Sequence, residues 1–393
     1  MTVALTSRVR NLGTETAFDV LAKAARLAQQ GRDIINLGIG QPDFPTPQHV
    51  VEAAIKAARD GAHGYTPANG ILPLRQAVAR DVKKYREVDI DPDDVVILPG
   101  AKPALFFASV MFGEPGAEIL YPDPGFPIYA SAVAFSGATP VPFTLKEKNG
   151  FGFRADDVLS AITPRTRLII VNSPSNPTGG VADPAELRKL VDGLAKHPNV
   201  AILSDEVYAR LVFDGEKNHS LIGFPEIRDR LLLLDGWSKT YAMTGWRLGW
   251  CHGPKAWIDR MTRLAINVYS CPNAVTQHAA IAALDGPQDA VEHMRQAFER
   301  RRDLIVRRVN DTPGLSSVKP GGAFYLFPNV SKTGMRAAAL QDALLEQAGV
   351  ACVAGTSFGA AGEGFLRFSY ANSDENIEKA LDRVGEFLAK RKG

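Results

Sequence analysis

Between residues 47 and 284, Ala-rich segments of helical period alternate with short, wholly apolar runs bounded by Gly, Pro or Asp. A strand that is apolar at every position has no face to offer water, so it belongs in a sheet covered by helices on both sides. The runs at 95–98, 118–121, 167–171, 200–204, 231–235 and 247–251 predict strands of that kind. Segments 47–60, 71–85, 102–111, 184–195 and 255–267 predict the helices between them. Asp183 before Pro184, with Glu186 in the first turn, is a helix start: a side-chain acceptor at the cap, then a residue with no amide hydrogen to satisfy.

After Gly286 the pattern changes. A long charged helix (287–309), two short strand-like stretches (324–327 and 366–369) and a closing helix from Ser373 read as a separate α+β unit. The 393 residues exceed the roughly 250–300 that one core accommodates, which also argues for two domains. The expected organisation is an N-terminal arm that also supplies part of a small domain (1–46), a large domain (47–286) and a small C-terminal domain (287–393). The arm carries a helix at 17–30 and a Gly/Pro-rich passage at 38–47, and is expected to pack on another part of the chain. The fold class is α/β: a mostly parallel central sheet flanked by helices, plus a smaller α+β domain.

Charge and cysteine usage exclude several functions. Lys plus Arg (45) exceeds Asp plus Glu (43) by two, without the clustered basic excess of a nucleic-acid binder. Three widely spaced cysteines, Cys251, Cys271 and Cys352, suit neither a disulfide framework nor a zinc site, so no metal is expected. No apolar run approaches the ~20 residues that span a bilayer, and the first twenty residues lack the apolar core of a signal peptide. A cytoplasmic protein with no membrane partner is the expectation.

Ligands of such sheets collect at the carboxyl ends of the strands, so polar residues there are the candidates for chemistry. Gly100-Ala101-Lys102 opens a helix whose free amides and positive dipole end suit a phosphate, although a plain strand-to-helix turn reads the same way. Prolines 174 and 177 stiffen the turn around Asn176 more than a surface loop requires, and a plain turn accounts for it equally well. Asp205 ends a strand and Tyr208 follows three residues on, so in a helical turn both would face one way. A buried carboxylate there needs a cationic partner; the two residues serve equally as a helix cap and a core tyrosine. Lys239 follows the strand at 231–235 and precedes Arg247 by eight residues. A lysine in a partly desolvated site holds its proton less tightly and attacks carbonyl carbon.

Taken together, Asn176-Pro177-Thr178-Gly179, Asp205-Glu206-Val207-Tyr208, Ser238-Lys239-Thr240 and Arg247-Leu248-Gly249 resemble the class I/II aminotransferases of the aspartate aminotransferase fold (fold type I), which depend on pyridoxal 5'-phosphate. The resemblance runs in order from Asn36-Leu37-Gly38-Ile39-Gly40 to Leu366-Arg367-Phe368-Ser369-Tyr370. It implies that Lys239 bonds the cofactor aldehyde and later moves the substrate proton, that Asp205 pairs with the pyridine nitrogen, and that Tyr208 and Asn176 hydrogen-bond the ring oxygen. Gly100, Ala101, Lys102, Ser238 and Arg247 would hold the phosphate, joined by Tyr65 from a second subunit of a homodimer. Phe126 would stack on the ring. It implies further that Arg367, Gly40 and Asn176 receive the substrate α-carboxylate.

Two departures bear on substrate. Phe126 stands where aspartate-specific members often have tryptophan, and no counterpart is evident of the partner-subunit arginine that reads a distal carboxylate; Lys102 is the candidate replacement. The reading is a transaminase passing the amino group of an L-amino acid, acidic or aromatic, to a 2-oxo acid such as 2-oxoglutarate. A carbon-sulfur or β/γ-lyase using the same cofactor, and a non-enzymatic sensor of the same fold, are the alternatives.

Overall fold

The computed structural model describes residues 3–10 and 12–391. Twelve strands are named here in chain order: β1 (Ile35–Asn36), β2 (Val95–Leu98), β3 (Glu118–Asp123), β4 (Thr139–Thr144), β5 (Thr166–Asn172), β6 (Ala201–Asp205), β7 (Leu231–Gly236), β8 (Gly249–His252), β9 (Tyr325–Leu326), β10 (Val350–Ala351), β11 (Val353–Ala354) and β12 (Leu366–Ser369). Seven of them form the central sheet in the order β2-β8-β7-β6-β5-β3-β4. From β7 to β4 all pairings are parallel, whereas β8 is antiparallel to both its neighbours. β2 therefore runs in the same direction as β7, and six carboxyl ends share one edge with the amino end of β8.

The apolar runs take the positions their composition demands. β2 and β6 are buried at every residue, and apolar clusters lie on both faces of the sheet. One cluster holds Ile97, Ile169, Ile202 and Leu233; the other holds Val96, Leu168, Leu203 and Leu234, the alternate side chains of the same strands. Helices Gln48–Arg59, Leu72–Arg86, Lys102–Phe112, Pro184–Leu194 and Lys255–Tyr269 start and stop within two residues of the expected segments. The Asp183 carboxylate caps its helix by accepting from the Ala185 amide.

Strand β4 was not anticipated because it carries Pro140 and Pro142. It lies at the end of the sheet and pairs with β3 alone. Thr139 and Leu145 donate to carbonyls of the β3 side, so in this alternation the two prolines fall where no ladder donor is needed. The expected strand 247–251 instead begins at Gly249. Arg247 follows a 3-10 turn, Thr244–Trp246, and takes a left-handed φ of 56°. A ladder position would have aimed its side chain across the sheet rather than along the edge.

A third cluster surrounds helices Asp289–Asp311 and Asp374–Lys390 and the antiparallel sheet β11-β12-β9. The N-terminal segment joins this part: β1 pairs in parallel with β10, and helix Ala17–Gln29 sets Val20 and Ala24 against Leu345 and Ala351.

Candidate active site

The shared edge of the sheet gathers the polar residues. Asn172 ends β5, Asp205 ends β6, and Lys239 lies in the short helix Trp237–Thr240 directly after β7. β12 brings Arg367, β9 brings Tyr325, and the segment after β1 brings Gly40. These surround one cleft of about 510 Å³, and every residue singled out in the sequence lines it except Gly100 and Tyr65.

Asp205 is buried, and its carboxylate accepts from the Tyr129 hydroxyl at 2.7 Å and, at the limit of a bond, from the Val207 amide at 3.4 Å. Among the described residues no side-chain cation pairs with it. Burial pushes its pKa up to about 6, against the opposing pull of the Tyr129 hydrogen bond. The neighbouring carboxylates are served differently: the buried Arg86 guanidinium donates to Glu206 at 2.9 Å and to Asp235 at 2.7 Å. The cation that a buried Asp205 was expected to need is thus not supplied by the protein, although cations are supplied to the acids beside it.

The Lys239 ammonium donates to the Gly40 carbonyl at 2.6 Å. Burial first, then the nearby Arg367 charge, lowers its pKa to about 8, which leaves about a tenth of it as free amine at neutrality. Gly40 is a glycine for want of space: a Cβ there would stand 2.2 Å from the Tyr325 hydroxyl.

Arg367 is buried on every side. It donates to Asn176 Oδ1 at 3.0 Å and to the Gly38 carbonyl at 2.5 Å, and its guanidinium lies over the rings of Tyr325 and Phe358. Its Nε has no hydrogen-bond partner among the described residues. A buried guanidinium with an unmatched donor and no carboxylate is a receptor for an anion.

Tyr208 does not follow Asp205 in a helical turn; the chain makes a non-helical turn, and the buried hydroxyl pairs with that of Tyr325 at 2.8 Å. Gly100 uses its own amide to close a turn onto the Leu98 carbonyl at 2.8 Å, so it offers no donor to a ligand. Its role is spatial: φ is 94°, and a Cβ would meet Arg247 Nη2 at 2.3 Å. Arg247 reaches the Thr244 and Pro99 carbonyls, beside Ala101 and Lys102 at the start of helix Lys102–Phe112. Phe126 lines the cleft edge-on to Tyr129. Tyr65 lies outside it and is 92% exposed.

Tyr129, Tyr325 and Glu15 are among the cleft residues that escaped the sequence reading. Tyr129 lies three residues beyond Phe126, one helical turn on, and that spacing could have marked it. Tyr325 follows Gly321-Gly322, a weak signal of close backbone approach. Glu15 is ion-paired with Lys102 and had no signal at all.

The family model for aminotransferase class I and II matches residues 32–384. The chain belongs to the class I and II aminotransferases. Its similarity extends over nearly full length to aromatic-amino-acid aminotransferase 2 of Thermococcus litoralis (40% identical, 95% of this chain and 96% of the relative) and to aspartate aminotransferase of Geobacillus stearothermophilus (40% identical, 98% and 99%). The solved aspartate aminotransferase of Thermus thermophilus with maleate superposes with a TM-score of 0.93 at 36% identity, covering 98% of this chain and 100% of that one. The aminotransferase is an α/β enzyme of fold type I that uses pyridoxal phosphate to transaminate amino acids.

Proposed function

We propose that this aminotransferase moves the amino group of acidic and aromatic L-amino acids to a 2-oxo acid such as 2-oxoglutarate, with Lys239 as the residue that carries both the cofactor bond and the proton. The observation that carries the reading is the pairing, across one cleft, of a desolvated amine with a buried guanidinium that lacks an anion. An α-amino acid presents a carboxylate and a Cα hydrogen one bond apart, and Arg367 and Lys239 match those two groups.

The residues fit pyridoxal phosphate. The uncompensated Asp205 carboxylate suits the protonated ring nitrogen, and the amides of Ala101 and Lys102 at the start of helix Lys102–Phe112, with Arg247 and Ser238, suit the phosphate. When bound, the cofactor supplies a carbonyl carbon for an amine and a ring that takes up the electron pair released at the substrate Cα. Arg367 and Asn176 hold the α-carboxylate and so fix which bond at Cα lies ready to break. Lys239 Nζ, once free as the amine, takes the proton from Cα. Tyr208, backed by Tyr325, offers a hydroxyl donor whose own ionisation is held far above neutrality by burial, so it donates rather than ionises. Phe126 covers the ring position and keeps water from it.

For the side chain, Lys102 brings an ammonium to the cleft between the rings of Phe18 and Phe126, 5.6 Å from each. That combination suits a distal carboxylate and an aromatic ring alike, in keeping with the aspartate and aromatic-amino-acid specificities named for the relatives. The exposed Tyr65, with Ile266 and Val268 also exposed, supports a homodimer in which Tyr65 serves the neighbour's phosphate. The test is a half-reaction screen of the holoenzyme against the common L-amino acids, followed by absorbance. Conversion by aspartate, glutamate and phenylalanine is expected; conversion by small aliphatic amino acids alone would overturn the substrate reading.

A further inference from the structure

The ammonium of Lys102 is already occupied. Glu15, 87 residues earlier, extends its carboxylate from the N-terminal segment onto Lys102 Nζ. The Glu15 side chain is 16% exposed, and it lines the same cleft as Lys239 and Arg367. The segment continues as helix Ala17–Gln29, whose first turns place Phe18 and Leu21 in the cleft wall. Beyond that the helix is fastened elsewhere: Lys23 is paired with Glu346, and Val20 and Ala24 pack on Leu345 and Ala351. Glu15 therefore reaches the cleft from the segment that leads into an anchored helix and is itself tied to helix Ile128–Ser136, where the Ser131 hydroxyl donates to the Gly13 carbonyl at 3.0 Å, and Lys102 is its one salt-bridge partner among the described residues.

We propose that Glu15 is a specificity-determining residue: its carboxylate occupies, from within the chain, the place of a substrate's distal carboxylate on Lys102. This rests on the reading of Lys102 given above. An acidic amino acid must exchange its own distal carboxylate for that of Glu15, whereas an aromatic one finds the ammonium already neutralised. A phenyl ring can then lie against Phe18, Leu21 and Phe126 without facing an unpaired charge. The intramolecular carboxylate is held at high effective concentration, so it competes with acidic substrates and lowers their apparent affinity. Exchanging Glu15 for a substrate carboxylate costs little, because the pair is partly exposed, Lys102 at 44% and Glu15 at 16%.

The experiment uses holoenzyme and measures kcat/KM for L-aspartate and L-phenylalanine in wild type, Glu15→Gln, Lys102→Ala and the double variant. Calorimetric titration with maleate and with 3-phenylpropionate adds a readout independent of turnover. Removing the competitor while keeping the ammonium should raise the aspartate-to-phenylalanine ratio in Glu15→Gln by about tenfold, and tighten maleate by a similar factor relative to 3-phenylpropionate. In the Lys102→Ala background the same change should move the ratio by less than about twofold, because nothing remains to compete for. If Lys102→Ala depresses aspartate selectively but Glu15→Gln leaves the ratio within twofold or lowers it, the Glu15 inference is overturned and the reading of Lys102 stands. If Lys102→Ala affects both substrates equally, the reading of Lys102 fails and takes this inference with it. Thermal unfolding of each holoenzyme variant reports whether it is folded.

Discussion

Replacing Asp205 by Asn should make the cofactor-free enzyme more stable and the holoenzyme less so. In the fold this carboxylate is buried with a tyrosine hydroxyl and no cation, and its pKa stands at about 6 against an ordinary 3.8. The native state thus holds the proton over a window, roughly pH 4 to 6, in which the unfolded chain has released it. Stability must fall as pH rises through that window, and the full cost is present above it. The distance from 3.8 to about 6 is worth about 3 kcal/mol at pH 8, shrinking to about 1 kcal/mol at pH 4.5. Asn removes the charge and still accepts from Tyr129, and it also relieves the repulsion between Asp205 and the buried Asp235, which adds to the gain in the same direction. With about 2.1 cal/mol/K of unfolding entropy per residue, 3 kcal/mol over this chain is about 3 to 4 °C in Tm. The assay is thermal unfolding of both proteins from pH 4.5 to 8, without cofactor and then with saturating pyridoxal phosphate. The variant should melt higher without cofactor, by a margin that grows with pH, and the wild type should gain more from the cofactor. A cofactor-free variant that melts lower at pH 8, or an equal gain from cofactor in both, would refute the assignment of Asp205 as the charge that the ligand completes.

Three further outcomes are expected. Arg367→Lys keeps the charge but loses the planar fork, and should lower kcat/KM about a hundredfold for acidic and aromatic substrates alike; a loss confined to one class in steady-state kinetics would remove Arg367 from the α-carboxylate. Tyr325→Phe leaves the Tyr208 hydroxyl without its partner and should lower kcat by about three- to tenfold with little change in KM, measured on saturated holoenzyme; an unchanged kcat would mean that the pair is only structural. Light scattering should find a dimer, and Lys239→Ala chains mixed with Tyr65→Phe chains should regain activity, because the hybrid contains one site with Lys239 and a foreign Tyr65. A monomer, or no gain on mixing, would confine Tyr65 to its own chain.

The parts of this molecule that could be read from sequence are those fixed by short stretches of chain. Runs such as Leu231 to Leu234 are apolar at every position because both faces of the sheet are covered, and the edge where they end placed Asn176, Asp205 and Lys239 near one another. Strand β4 was hidden because an edge strand tolerates the prolines that a central one would not. β1, β10 and β11 were hidden for a different reason, since strands of two residues carry no periodicity. Arg247 read as the start of a strand because its neighbours are apolar; the left-handed turn that aims it at the cleft depends on the close passage of Gly100 and Gly249, whose Cβ would meet the Gly100 carbonyl carbon at 2.6 Å. Glu15 reaches the cleft through tertiary contacts alone, and the weak local signals at Tyr129 and Tyr325 say nothing of their partners, which for the Tyr129–Asp205 bond lie 76 residues apart. Tyr65 is legible in one chain only as an exposed side chain, because the site proposed for it belongs to a second copy.

The central claim is that Lys239 is the residue bonded to the cofactor. Borohydride reduction of the holoenzyme makes that bond permanent, and digestion with mass spectrometry then maps the modified residue. The account predicts a single pyridoxyl-phosphate group on Lys239, absent from Lys239→Ala protein treated in the same way. A modification on Lys102, the other lysine of the cleft, or on any lysine outside it, would contradict the account.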